Sequence, residues 1–504
     1  MKIRCKILVA IFFMTSSAEA QTNFASFQAF KDSLTATASI PNDSIRSQRL
    51  DAFWNALVAE TRVPFTMGDK AAFLYRGAAT SVAWSGDFNG WSALSRGERL
   101  GQSDIWMLEQ TLPSDARVDY KIILNGNNWI LDPANPFQQL SGFGFNSELR
   151  MPNYVPSTDV VRKPNVAAGT FRDNTTIQSR QLGYSVNYRV YTPAGYNPSS
   201  NQAYPVVYVT DGHEYANDLM GSMVIVLDNL IAERRIRPLI AVFIDPRNPS
   251  NPAQNRRATE FIMNEKYLRF VSDELMAAVD SAYRTERRPD SRAILGTSFG
   301  GVNSLYFGAS ASSIFGLIAV QSPALWRTPE LLTMYQNAAR LPIKIFLTTG
   351  TMRDGENDTR RLRDILQQKA YPMFYREVNE GHSWGNWRAL LDDMLLYFFP
   401  TAASTTDSKR EGALQKTFQL FQNYPNPFNP TTIISYQLPT AGNVSLKVFD
   451  VLGREIATLV NERQDGGTYK YPFSTATYQL SSGVYFYRLE SGGFIETRSM
   501  AVVK

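Results

Sequence analysis

Between residues 170 and 400, short and almost continuously apolar runs alternate with helical patterns. No other feature limits the fold as much. The runs are SVNYRVYTP, YPVVYVTDG, LIAVFIDP, RAILGTS, FGLIAVQSP, KIFLTTG and MFYREVNE. A strand with one wet face alternates apolar and polar residues. Several of these runs do not, as expected of strands buried on both faces. The stretches between them, such as NEKYLRFVSDELMAAVDSAY, space their apolar residues as a helix does. Such alternation predicts a mostly parallel sheet with helices on both faces.

The flanks differ in period. Residues 1–20 look like a signal peptide: Lys2, Arg4 and Lys6 precede the apolar run Ile7 to Met14, and Ala18-Glu19-Ala20 suits cleavage before Gln21. Residues 21–68 read as helical. Phe24 to Glu60 carries Phe53, Trp54, Leu57 and Val58 on one stripe, Asn42-Asp43 offers a cap, and Pro64 ends the run. Residues 69–152 switch to short alternating segments between Gly, Asn and Asp turns, the pattern of a β-sandwich. Proline-rich residues 153–169 read as a linker, and polar residues 401–416 as a flexible tether. Residues 417–504 return to short strands and turns, a second small β-sandwich. The expected architecture is therefore multidomain, a mostly parallel α/β core with helices on both faces, flanked by two small β-sandwiches.

Several chemistries are disfavoured. The 504-residue chain is 19% charged with a net charge of +5, and no basic stripe marks a nucleic-acid partner. No stretch beyond the leader is long and apolar enough to span a membrane, which takes about 20 residues. The one cysteine, Cys5, lies in the leader. The mature chain would then have no disulfide, thiolate metal site or cysteine nucleophile. No metal or cofactor is expected.

AILGTSFGGVNS holds a G-x-S-x-G pattern centred on Ser298. An apolar strand precedes it and a helix start follows, the context of a nucleophile elbow. Gly296, Gly300 and Gly301 allow the tight turn. A serine hydroxyl needs a base to take its proton, and the chain has two histidines. His382, in NEGHSWGNWR after the last predicted strand, stands where an α/β-hydrolase core places its base. His213, in VTDGHEY, falls in an early loop suited to an oxyanion hole and is expected to be a structural or pocket-lining residue. The fold orders its triad Ser, acid, His, so the acid must lie between Ser298 and His382. Asp354 is nearest the end of KIFLTTG and is the first choice, with Glu356 the alternative and Asp358 better placed to cap the next helix. The oxyanion donors are expected from the N–H of Phe299 and from Gly212 or His213. Trp326 and Trp384 are candidates for the substrate pocket. In the front sandwich Trp84, Trp106 and Trp129 are expected to fill the core, while Trp91 and Trp129 are the candidates if the module stacks on sugar rings.

Three resemblances add to this. GDFNGW with YKIILNGNNWILDPANP resembles the glycogen-binding-type immunoglobulin-like module. YPVVYVTDGHEY, NRRATEF, SDELMAAVDSAYRT, GTSFGG, QSPALW, TTGTMRDGENDTRRL and GHSWGNWR resemble the putative-esterase superfamily, which includes enterochelin esterases and the feruloyl and acetylxylan esterases of carbohydrate esterase family one. That resemblance implies Ser298 as nucleophile, His382 as base and, less securely, Asp354 as acid. NYPNPFNP, VFDVLGRE and SSGVYFYRL resemble the C-terminal sorting domain of type IX secretion. Together they imply a secreted serine esterase, routed by the type IX machinery, acting on feruloyl or acetyl esters of plant polysaccharide. A siderophore esterase is the alternative, and a non-catalytic secreted glycan-binding protein is the alternative of another class.

Overall fold

A computed structural model describes residues 23–91, 95–401, 418–423, 425–438, 441–465, 467–478 and 480–503. The expected leader with Cys5, and all but the first residue of the expected tether, lie outside these residues. The chain divides after Pro400 into two compact units.

The first unit opens with two helices, Phe27–Ala38 and Asp43–Ala59, where one had been expected. Pro41 disfavours helical backbone at the residue before it. Asn42 then restarts the helix, its side chain accepting the Ile45 N–H at 3.0 Å. The strands Phe65–Met67 and Lys70–Arg76 pair as a hairpin across the expected 68/69 boundary, so helices and sandwich form one body. Period-2 alternation explains the layering. Ala72 and Leu74 pack with Phe30, Leu34 and Leu57 under the helices. Ala71 and Phe73 pack with Trp84, Val118 and Tyr120 between a four-stranded and a six-stranded sheet. Trp84 and Trp106 are buried there, but Trp129 is 45% exposed and does not fill the core.

Residues 153–169 are not a free linker. Asn229 donates to the carbonyls of Asp159 (2.9 Å) and Val161 (2.8 Å), and Arg235 pairs with the Asp159 carboxylate at 2.7 Å. The Gly169 N–H donates to Asp228 at 2.8 Å. This strap lies along the helix Met223–Ala232.

The nine-stranded sheet that follows is the α/β core. Ser185–Thr192 runs antiparallel to Ile240–Asp245. From there Val206–Val209, Arg292–Thr297, Leu317–Gln321, Lys344–Gly350 and Met373–Val378 follow in parallel. Val206–Val209 lies between Ile240–Asp245 and Arg292–Thr297. The chain thus steps outward and then returns, and ligands bind outside the carboxyl ends of strands at such switch points. Both sheet faces are buried by separate apolar clusters. The predicted helix in NEKYLRFVSDELMAAVDSAY forms, with π-helical turns at Phe270–Leu275 between Glu265–Arg269 and Met276–Ala282.

The second unit has a three-stranded and a four-stranded antiparallel sheet around a shared core. Its strand Gly442–Phe449 buries Val444, Leu446 and Val448 and leaves the residues between them less covered.

Candidate active site

Ser298 sits between the strand Arg292–Thr297 and the helix Phe299–Ser310, with φ 58° and ψ −117°. A non-glycine residue rarely adopts such a backbone, and it is held only where the surroundings over-determine it. Here its N–H donates to the Gln321 carbonyl at 3.0 Å, and its carbonyl accepts the Val302 N–H at 3.1 Å. Glycines make the turn possible. A Cβ on Gly296 would lie 2.2 Å from the Gly300 backbone, and one on Gly300 would lie 2.5 Å from Thr210 Oγ1.

The Ser298 hydroxyl meets His382 Nε2 at 2.9 Å. His382 Nδ1 meets Asp354 Oδ1 at 2.5 Å. His382 lies in the loop after Met373–Val378, and Asp354 in the loop after Lys344–Gly350. Asp354 has no exposed side-chain surface. Its second oxygen accepts the Gly350 N–H (2.5 Å) and the hydroxyls of Ser322 (2.5 Å) and Thr349 (3.3 Å). These donors hold the carboxylate in one orientation. Glu356 turns the other way and accepts the Asp354 N–H at 3.1 Å. Asp358 does not cap the next helix, which starts at Glu356, and pairs instead with Arg361 within the helix.

Phe299 and Gly212 each begin a helix, and His213 follows Gly212. The first N–H groups of a helix have no intrahelical acceptor, so they are free to point at an anion. The close approach of Gly300 to Thr210 brings the two turns together. The His213 ring is largely buried, 3.5 Å from Asp245, and burial lowers its pKa. It does not join Ser298, His382 and Asp354.

The tryptophan candidates separate. Trp326 is 68% exposed, its ring 6.4 Å from that of Phe299, beside the elbow. Trp384 is only 2% exposed and packs edge-on against Tyr215 and Trp387, so it cannot line an open pocket. Trp91 is partly exposed, with its indole N–H donating to Asp87 at 3.1 Å.

Sequence reasoning missed several supporting groups. Arg257 makes two bonds to buried Asp211, at 3.0 and 2.8 Å, and lies over the Phe299 ring at 5.2 Å. Gln321 accepts the Tyr215 hydroxyl at 2.8 Å and donates to the Trp387 carbonyl at 2.8 Å. Trp387 donates to Ser322, which donates to Asp354, and presents its ring edge-on to His382 at 4.8 Å. The quoted motifs NRRATEF and QSPALW contain Arg257, Gln321 and Ser322, but nothing local in them reveals these partners.

Residues 179–398 match the family described as Putative esterase, and residues 422–504 match the secretion system C-terminal sorting domain. The chain carries an esterase-family domain and a type IX sorting domain. The sorting domain marks the protein for export to the cell surface or beyond. YjcH of Bacillus subtilis is 25% identical to the chain over 240 residues, 44% of this chain and 97% of that protein. The iron(III) enterobactin esterase of Escherichia coli K12 is 25% identical over 275 residues, 51% of this chain and 64% of its own length. The endo-1,4-beta-xylanase/feruloyl esterase of Xylanibacter ruminicola is 26% identical over 234 residues, 44% of this chain and 31% of its own length. A crystal structure of the enterobactin esterase of Shigella flexneri superposes with a TM-score of 0.55 at 22% identity, covering 65% of this chain and 92% of that one. That likeness shows the fold alone. Among the described residues, no helix is long and apolar enough to cross a membrane.

Proposed function

We propose that the chain is an exported serine ester hydrolase working through an acyl-enzyme. Ser298 attacks the ester carbonyl while His382 takes its proton, and Asp354 holds the imidazole tautomer and the imidazolium that forms. The Phe299 N–H and one from Gly212 or His213 stabilise the oxyanion. His382 returns the proton to the leaving alcohol, and water then releases the acid by the same route. The observation that carries this reading is the continuous Ser298–His382–Asp354 relay at 2.9 and 2.5 Å, on a strained elbow inside the esterase-family segment.

For the substrate we propose feruloyl or acetyl esters of plant polysaccharide. Export suits a polymer outside the cell, and the Xylanibacter ruminicola relative is named for that chemistry. Trp326 beside the elbow supports an aromatic acyl group, and exposed Trp91 and Trp129 support contact with sugar. A siderophore ester is the second reading. The likeness to the enterobactin esterase fold covers more of the chain than the 179–398 match, so it extends beyond the esterase segment. A panel of feruloylated xylan, acetylated xylan and a catecholate triester decides between them. Release of ferulate or acetate with no triester cleavage supports the first reading, and the reverse supports the second. No turnover of any of these, or of short nitrophenyl esters, overturns the enzyme. Polysaccharide binding that is unchanged in folded Trp91→Ala and Trp129→Ala would remove their role.

A further inference from the structure

The His382 side chain is 41% exposed, so no protein wall confines it from the solvent side. Its position must come from Asp354, from the edge of Trp387 and from the backbone that carries it. That backbone does not rest on the α/β core alone. Residues on either side of His382 are gripped by the front β-domain, and the grip centres on Arg117, which is 1% exposed.

Arg117 begins the strand Arg117–Leu124, more than 200 residues away from His382 in sequence. On its own side it binds Glu148 through Nε (2.8 Å) and Asp119 through a terminal nitrogen (2.6 Å). Its other terminal nitrogen crosses to the esterase domain, donating to Ser383 Oγ at 3.1 Å and lying 3.4 Å from Glu380 Oε2. The Arg117 N–H donates to the Asn379 carbonyl at 3.1 Å. A Cβ on Gly385 would fall 1.9 Å from the guanidinium carbon, so the group lies flat against that backbone. Next to it, a Cβ on Gly381 would fall 2.1 Å from the Asp87 carboxyl carbon. The grip also reaches the acid loop. The Glu380 carbonyl accepts the Met352 N–H at 3.1 Å, Met352 packs on the front-domain core, and Gly90 lies against Arg353.

We propose that Arg117 is a positioning residue for ester hydrolysis, fixing residues 379–385 so that His382 bridges Ser298 and Asp354. The front β-domain is then part of the catalytic scaffold and not only an accessory to it. A planar guanidinium suits this task because it binds both sides at once, which the point charge of a lysine cannot do. Loosening the loop by about 1 Å costs on the order of 10²-fold in turnover. The inference rests on the Ser298–His382 reading above.

The test uses the full chain with nitrophenyl acetate, counting sites by the acyl-enzyme burst and checking folding by circular dichroism. Arg117→Lys is expected to lower kcat per active site by about 10- to 100-fold with KM nearly unchanged. Arg117→Met should lose at least as much, making lysine a partial rescue. Ser383→Ala cuts the contact from the other side and should lower kcat less. Combined with Arg117→Lys it should add little, because the two act through one contact. Arg150→Lys disturbs the same Glu148 without reaching residues 379–385 and should leave kcat unchanged. Should the Arg117 variants fail to fold, Glu380→Gln with Ser383→Ala carries the test and must lower kcat. Wild-type kcat in folded Arg117→Lys, or in that pair, overturns the proposal, as does a loss equal in Arg150→Lys. Ser298→Ala runs in parallel. If it stays active the Ser298–His382 reading itself falls, whereas a dead Ser298→Ala beside an unaffected Arg117→Lys removes only the positioning role.

Discussion

Asp354→Asn tests the relay most sharply, because the surroundings dictate how the new amide must sit. In the native site one carboxylate oxygen faces His382 and the other accepts from Gly350 N–H, Ser322 and Thr349. An asparagine can place only one oxygen. If its nitrogen faced the Gly350 N–H, two donors would meet in a buried site, at a cost of about 1–3 kcal/mol. Its oxygen therefore takes that side, and its nitrogen donates to His382 Nδ1. The imidazole must then carry its proton on Nε2, pointing at Ser298, and cannot accept the serine proton. The charge that stabilises the imidazolium is lost as well. The expected fall in kcat is on the order of 10⁴-fold, or about 5.5 kcal/mol at roughly 1.4 kcal/mol per decade. Steady-state hydrolysis of nitrophenyl acetate with burst titration measures it, and KM should move little. Glu356→Gln keeps an acceptor for the Asp354 N–H and should stay within about 10-fold of wild type. A near-wild-type Asp354→Asn beside a collapsed Glu356→Gln would refute the assignment of the acid.

Other outcomes follow from the same geometry. Gly296→Ala drives a Cβ to 2.2 Å from the Gly300 backbone, so it should destabilise by about 1–3 kcal/mol or more and abolish turnover, read by thermal melts and activity. Burial, aided by the Asp119 charge, pushes the Asp87 carboxyl from 3.8 up to about 8. Burial likewise pushes Glu380 from 4.5 up to about 7, against the pull of Arg117. Both groups hold protons when folded that the unfolded chain releases. Stability should therefore be greatest below about pH 4 as far as these groups act, and fall as pH climbs to about 8. Denaturant melts across that range check this, and Asp87→Asn should flatten the slope. A chain ending at Pro400 should keep its esterase rate, since the two units have separate cores, but should no longer leave its native host. Loss of rate in a folded truncation counts against this.

Near neighbours in the sequence carried much of this protein. The runs from YPVVYVTDG to KIFLTTG form the inner strands of one sheet because burial on both faces is written into them, while SVNYRVYTP alternates and MFYREVNE is only half-buried. The elbow at Ser298 was legible because a tight strand-to-helix turn demands small residues at fixed offsets, and Gly296 and Gly300 supply them. With two histidines in the chain, few candidates could meet the Ser298 hydroxyl, and His382 is the one that does. What failed to show locally was side-chain direction and distant contact. Asp354 and Glu356 are two residues apart and chemically alike. Only the packed structure turns one into the buried donors at the strand end and the other back onto the backbone. Trp326 and Trp384 carry the same indole, yet folding leaves one open and seals the other between Tyr215 and Trp387. The hairpin across residues 65–72, the strap at 153–169 and the grip of Arg117 on the His382 loop likewise belong to the tertiary structure. Each depends on groups brought together by burial, and neither hydrophobic period nor turn chemistry encodes which distant partner a buried charge will meet.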